Sequence, residues 1–207
     1  MASPRPSPPP AHTRRSHAER TAETRERVIA AVVESIAEVG YQRTTSAQIA
    51  RRAGVTWGAV QHHFGDKDGI LMAALQASFD RFAERLADVP APDASLEARV
   101  SLFVERSWEH FASAHYRSTF EILLNLPADL EPSWQSVMLD AWSGIWSRYF
   151  PGSRASARRT VDLMHYTISV LTGLASTRML EGSAPPVRTT ELGFLKDTLW
   201  RELSRDG

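Results

Sequence analysis

The chain of 207 residues contains no cysteine. That excludes a disulfide framework, a thiolate metal site and a cysteine nucleophile. Neither sign of charge is in excess, with 24 Lys and Arg against 24 Asp and Glu, so this is not a protein coated in positive charge. No apolar run approaches the roughly 20 residues of a membrane span. The proline-rich start, Met1 to Pro10, lacks the apolar centre of a signal peptide. A cytoplasmic location, away from any membrane, fits these absences. No alternating apolar and polar run bounded by turn residues marks a strand. A nucleophile elbow, a phosphate-binding glycine loop and a zinc-helix motif are also lacking. The expectation is therefore a protein that is not an enzyme, with no catalytic residues, no cofactor and no metal site.

What is present reads as a helical protein of ordinary composition, 43% hydrophobic and 23% charged, long enough to bury a core. The charge is unevenly spread. The first 70 residues carry ten basic and seven acidic side chains, and the remainder is acidic by the same margin. A basic end joined to an acidic remainder suggests a local anionic partner. Residues 1–17, with five prolines and no apolar periodicity, read as a disordered arm. It is either a solvated tail or a device that brings Arg14 and Arg15 to DNA.

Helix follows helix after that. Val28, Ile29, Val32, Val33 and Ile36 recur at three- and four-residue spacing and predict a first helix over Thr21 to Val39, stopped by Gly40. Thr45 with Gln48 three residues on has the pattern of a capping box before a short helix, Ser46 to Ala53. Thr56 is placed to cap a third helix, Trp57 to Phe64, and Asp66 a fourth that runs to about Val89. Further helices are expected over Ser95 to Ala114, Ser118 to Asn125, Pro132 to Phe150, Arg154 to Leu180 and Thr190 to Leu203, with a break near His115-Tyr116-Arg117. The fold class is all-α.

The second and third helices form a helix-turn-helix pattern. Ala50 and Ala53 are small enough for close crossing, Gly54 supports a tight turn, and Val55 fills the space between the helices. The third helix offers Thr56, Trp57, Gly58, Gln61 and His62 near its start, polar or compact groups of the kind that reach base edges in a major groove. His62 and His63 are adjacent and point about 100° apart, a poor geometry for joint metal ligation.

At these residues the chain resembles the tetracycline-repressor (TetR) family. The matching positions are Gly40-Tyr41-Gln42-Arg43-Thr44-Thr45, Ile49-Ala50, Ala53-Gly54-Val55, Gly58-Ala59-Val60, His63-Phe64, Lys67 and Leu71, within residues 24–71. The resemblance implies a DNA-binding domain over residues 18–66 and a domain for ligand binding and dimerisation over 67–207. It implies DNA contacts from Arg43, Thr45, Thr56, Trp57, Gly58, Gln61, His62, His63 and Lys67. Thr45 would meet a phosphate through its hydroxyl and its helix N-terminus. His63 and Lys67 would hold the backbone. The family often has Tyr where this chain has Gln61, so Gln61 either touches the backbone or pairs with adenine. His63 either meets phosphate or packs between helices, and Trp57 either lies on the DNA backbone or fills the helix junction.

The C-terminal part is rich in aromatic residues and methionine, which ordinarily make a helical core. A ligand pocket needs a few polar groups among apolar walls. The candidate lining is His110, Glu121, Asn125, Met138, Trp142, Trp146 and His165. The resemblance implies that the last two helices form the dimer interface, with Ile168, Leu171, Ala175, Leu195 and Leu199 as the candidates; such helices can pack with two partner copies into a four-helix bundle, or else pack only within the chain. The expected function is a homodimeric repressor, released from a palindromic operator in double-stranded DNA by a small apolar or aromatic effector. The alternatives are a ligand-independent repressor or architectural protein, and, further off, an activator or an enzyme.

Overall fold

The computed structural model describes residues 16–126, 133–151, 156–181 and 188–205, with the backbone alone for His17 and 133–137. Arg14, Arg15 and the rest of the arm over 1–15 lie outside the described residues. The helices are α1 (His17–Val39), α2 (Ser46–Ala53), α3 (Trp57–Phe64), α4 (Lys67–Arg85), α5 (Leu96–Phe111), α6 (Ala114–Leu124), α7 (Ser133–Tyr149), α8 (Ala157–Leu180) and α9 (Thr189–Ser204). A 3-10 turn, Tyr41–Arg43, links α1 to α2. The described residues include no strand, and the fold is all-α as expected.

Side-chain caps fix most of the boundaries. Each of Ser16, Thr45, Thr56, Asp66, Ser95, Ser113 and Ser156 accepts a bond from a backbone N–H of the first turn that follows it. These caps satisfy donors that a helix start leaves without partners. They also account for the first two of three departures from the sequence reading. The first helix begins at His17, because Ser16 and Glu19 form a reciprocal capping box, with Ser16 N–H to Glu19 Oε2 at 2.6 Å. Residues 16 and 17 therefore belong to a helix start and not to the arm. The break expected at His115-Tyr116-Arg117 falls at Ala112-Ser113, where the Ser113 hydroxyl accepts from Tyr116 N–H at 3.1 Å and starts α6. The fourth helix ends at Arg85, four residues early. Carbonyls beyond its end are held from elsewhere: Tyr149 Oη donates to Asp88 O at 3.0 Å. The Arg99 guanidinium donates to the carbonyls of Ala91, Pro92, Ala94 and Tyr149.

Two hydrophobic clusters result. The first joins the apolar stripe of α1 (Val28, Val32, Ile36) to Ile49, Ala50 and Ala53 of α2, Val60 of α3, and Ile70, Leu71 and Leu75 of α4. The second joins Phe79 and Phe82 of α4 to the apolar faces of α5, α7, α8 and α9. Two helices belong to both. The N-terminal half of α4 is in the first cluster and its C-terminal half in the second. Helix α6 gives Ile122, fully buried, to the first and Tyr116 to the second. Any movement of either helix is therefore felt in both cores, because close-packed interiors transmit displacement.

Candidate functional site

Helices α2 and α3 cross closely because Ala50 and Ala53 are buried between them. Gly54 ends α2 in the left-handed conformation (φ 66°), where a side chain would be strained. Val60 is buried and anchors α3. The opposite side of α3 then faces outward: Thr56, Gly58, Gln61 and His62 are all exposed. Trp57 is half-buried and packs on the first core, so its indole is tied to the helix junction.

The flanking residues divide into those free for an outside partner and those already engaged. Arg43 is exposed, yet its Nε donates to Val39 O at 2.7 Å, closing the end of α1. The Thr45 hydroxyl accepts from Gln48 N–H at 3.3 Å and faces Gln48 Oε1 at 3.1 Å, so a phosphate there would replace the second bond. Lys67 Nζ sits 4.7 Å from the centre of the Tyr41 ring. His63 is half-buried, and its carbonyl accepts from Arg25 Nη1 at 2.8 Å while the same guanidinium lies 4.6 Å from the Phe64 ring centre. Arg25 therefore buttresses the end of α3 from α1. The sequence reading missed it, because nothing in local spacing pairs residues 25 and 63.

A second missed residue is Gly69, in the first turn of α4. A Cβ on it would come well inside 3.0 Å of the Phe64 carbonyl oxygen. The junction between the outward-facing helix α3 and α4 is thus packed too tightly for any side chain at that position.

Behind this junction a cavity of about 170 Å³ lies among α4, α5, α6, α7 and α8. Of the predicted lining, the structure brings His110, Met138 and Trp142 to it. It adds Phe79 and Phe82 from α4, Phe111 from α5, Tyr116, Thr119 and Phe120 from α6, and Ile168 and Thr172 from α8. Leu75 and Leu123, which pack with the first core, also reach the wall, so the cavity sits at the seam of the two cores. Tyr116 Oη lies 3.2 Å from Thr172 Oγ1, and Thr119 Oγ1 donates to Ser78 Oγ at 3.0 Å. Burial first, then His115, Arg85 and Arg81, push the His110 imidazole down to about 4. Phe79 and Phe82 carry a sequence signal, the apolar spacing that faces a core, whereas Tyr116 falls where the sequence suggests a helix break. That spacing does not tell a packed wall from an open one.

Four predicted lining residues go elsewhere. Glu121 turns to the other face of α6, where its Oε2 accepts from Tyr41 N–H at 2.9 Å. Asn125 accepts from Gln42 Nε2 at 2.8 Å and donates to Glu121 O. Both satisfy polar groups around the 3-10 turn instead of facing the cavity. Trp146 is buried against Phe103 and Phe150, because residues four apart on α7 share a face but sit one turn apart along it. His165 is exposed on the outer side of α8.

The predicted dimer residues need a similar correction. Leu171, Ala175, Leu195 and Leu199 are at most 1% exposed in the single chain, and Ile168 lines the cavity. Their periodicity is that of the intrachain core face. The outward stripe of α8 is Tyr166, Ser169, Gly173, Thr177 and Leu180, and α9 adds Phe194 and Trp200.

Residues 28–74 match the family of bacterial regulatory proteins named tetR. Over that segment, roughly a quarter of its length, the chain is similar to the tetR family. Among curated tetR-like relatives, the HTH-type transcriptional regulator BetI of Cronobacter sakazakii is 40% identical over 89 residues, 41% of this chain and 43% of that relative. The chain spans less than half the length of the curated relatives it matches. The solved structures that it resembles extend the likeness beyond the tetR-matching segment. The multidrug binding protein EbrR, complexed with imidazole, is similar over 90% of this chain and 94% of its own, with TM-score 0.63 and 20% identity. FadR from Bacillus subtilis, in complex with stearoyl-CoA, is similar over 88% and 98%, with TM-score 0.63 and 18% identity. At such identities the likeness is one of fold. Among the described residues no helix is long and apolar enough to cross a membrane, and no group of three metal-ligating side chains comes together.

Proposed function

We propose that this protein is a cytoplasmic, sequence-specific regulator of the tetR type that works by binding and not by turnover. In this reading it grips a palindromic operator as a homodimer and is loosened by a small apolar or aromatic effector held in the cavity among α4 to α8. The observation that carries the reading is the outward face of α3, with Thr56, Gly58, Gln61 and His62 exposed while Val60 and Trp57 fasten the helix to the core. Gly58 allows close approach of the helix to DNA, Gln61 offers an amide able to pair with adenine, and His62 and Thr56 add donors. A single short helix reads few bases. Two of them, about 34 Å apart or a multiple of that, read two half-sites.

The outward stripe of α8 and α9 supports a second copy as the partner. Ser169, Gly173 and Thr177 let helices approach closely, and Tyr166, Phe194 and Trp200 supply apolar area. Gly173→Arg should then leave the fold intact and yield monomers in light scattering.

Coupling would run through both helices shared by the cores. An effector touching Leu75 and Phe79 on α4 and Thr119 and Leu123 on α6 presses on the elements that hold α3 and the 3-10 turn. To release DNA it must bind the released arrangement more tightly, by ~1–3 kcal/mol for ordinary coupling. The cavity at the seam favours this over a ligand-independent repressor. The experiment is binding of the full chain to DNA upstream of its own gene, against shuffled DNA, at two salt concentrations. Tight, salt-sensitive binding to one palindrome, weakened about tenfold by Gln61→Ala, is expected. Equal binding of both DNAs, also after selection from random sequence, would sink the proposal.

A further inference from the structure

The polar groups of the cavity narrow what it accepts. Among the described residues its lining includes no lysine, arginine, aspartate or glutamate. The hydroxyls come in two pairs that already bond to each other, Tyr116 with Thr172 and Thr119 with Ser78. His110 is different. The residue is only 6% exposed, it lines the cavity, and its imidazole makes no hydrogen bond to another described residue. Its neighbours are the rings of Phe82, Phe111 and Tyr116, with centroids 5.2, 5.7 and 5.5 Å away. Held uncharged by burial, the imidazole has one N–H to donate and one lone pair to accept with.

We infer that the cavity takes an uncharged, single-ring-sized molecule bearing one hydroxyl or carbonyl group, for which His110 is the hydrogen-bond partner. The inference rests on the effector reading above and names the chemical class of that effector. Size sets the ring, since an apolar cavity of about 150 Å³ is known to hold benzene. The imidazole sets the polar group, because it lines the cavity and makes no side-chain hydrogen bond among the described residues. The missing charges set the neutrality. Among the described lining residues an anion would find no cation to pair with and a cation no carboxylate; Arg81 and Arg85 act on His110 only as neighbouring charges and do not line the cavity. Cation–π contact is a poor substitute here. Phe82 and Trp142 lie 4.5 Å apart, and Phe111 and Tyr116 4.6 Å, in tilted pairs, so each of these rings already packs on another ring.

Four probes of similar size separate the possibilities: para-cresol, toluene, benzoate and phenyltrimethylammonium. Para-cresol is neutral at pH 7, as a phenol of pKa near 10 must be. Calorimetric titration of the full chain should rank para-cresol first, at least about tenfold tighter than either charged probe and severalfold tighter than toluene. His110→Leu should remove the advantage over toluene while toluene still binds. If that variant does not fold, the ranking in the unaltered protein decides. Tightest binding of benzoate or phenyltrimethylammonium, equal binding of toluene and para-cresol, or binding of none of the four at millimolar concentration would each overturn the inference. None of these outcomes touches the DNA-binding reading, which stands or falls on the operator titration.

Discussion

Glu121 Oε2 accepts a hydrogen bond from the backbone N–H of Tyr41 at 2.9 Å, across 80 positions of sequence. The bond ties α6, one wall of the cavity, to the turn that leads into α2. Asn125 and Gln42 add a second tie beside it, and Ser118 Oγ donates to Val33 O at 2.9 Å on the same side. Helix α6 thus faces the cavity on one side and the 3-10 turn leading into α2 on the other.

Glu121→Ala should uncouple the two. A hydrogen bond to a charged group contributes about 1.5–3 kcal/mol, less where water reaches it, so a stability loss of about 1 kcal/mol is expected in urea unfolding. Effector affinity should stay within about threefold, because the side chain does not face the cavity, while the effector concentration needed to release DNA rises. Unchanged release in a DNA-binding titration would mean that α4 alone carries the signal.

Gly69→Ala should cost more than its size suggests. The added methyl meets the Phe64 carbonyl, backbone that cannot rotate away. Overpacking of this kind costs about 1–3 kcal/mol. The displaced element is α3, so DNA affinity should fall at least tenfold while the cavity binds its probe as before. Ordinary DNA binding by this variant would contradict the packing.

Arg99→Met should loosen the second core selectively. The buried guanidinium holds four carbonyls around the turn after α4 and the end of α7, with no carboxylate among its hydrogen-bond partners. Leaving buried acceptors empty costs about 1–3 kcal/mol each where water cannot reach them. Arg99→Lys should not rescue the loss, since one ammonium cannot span a planar fork of contacts. Hydrogen exchange should show opening in α5 and α7 before α1 to α3.

His110 and His115 predict a pH dependence of stability. Burial is the first cause in both, and each is pushed from 6.5 down to about 4. Folding favours the neutral ring, so the unfolded chain takes up protons near 6.5 that the folded chain refuses until about 4. The stabilisation is therefore complete above pH 6.5 and is lost as pH falls from there toward 4. The slope is at most about 1.4 kcal/mol per pH unit for each ring. Urea unfolding at pH 7.5, 6 and 5 should show a shallower slope in His115→Phe than in the unaltered protein. Parallel slopes would assign the acid sensitivity to other groups.

Much of this was legible in the sequence. The apolar stripe of α1, the Thr45–Gln48 box, the Gly54 turn and the caps at Thr56 and Asp66 are local signals, and the structure contains each of them. The Ser16–Glu19 box was equally local and was hidden only by its place at the end of a proline-rich arm. The reading failed where one residue type serves two surfaces. Leu171, Ala175, Leu195 and Leu199 have the spacing of an interface, but the same spacing serves the chain's own core.

The sequence by itself determined the helices, their caps and the turn that presents α3, because capping and apolar periodicity act over three or four residues. Tertiary structure alone decided which face of each helix looks inward, which polar groups pair, and where space is left over. Glu121 and His110 are both polar residues on mostly apolar helices. Only the packing sends one to the Tyr41 backbone and the other, without a partner, into the cavity. The physical reason is that a hydrogen bond across 80 residues and an unfilled volume depend on how several helices meet, and no window of sequence contains that meeting.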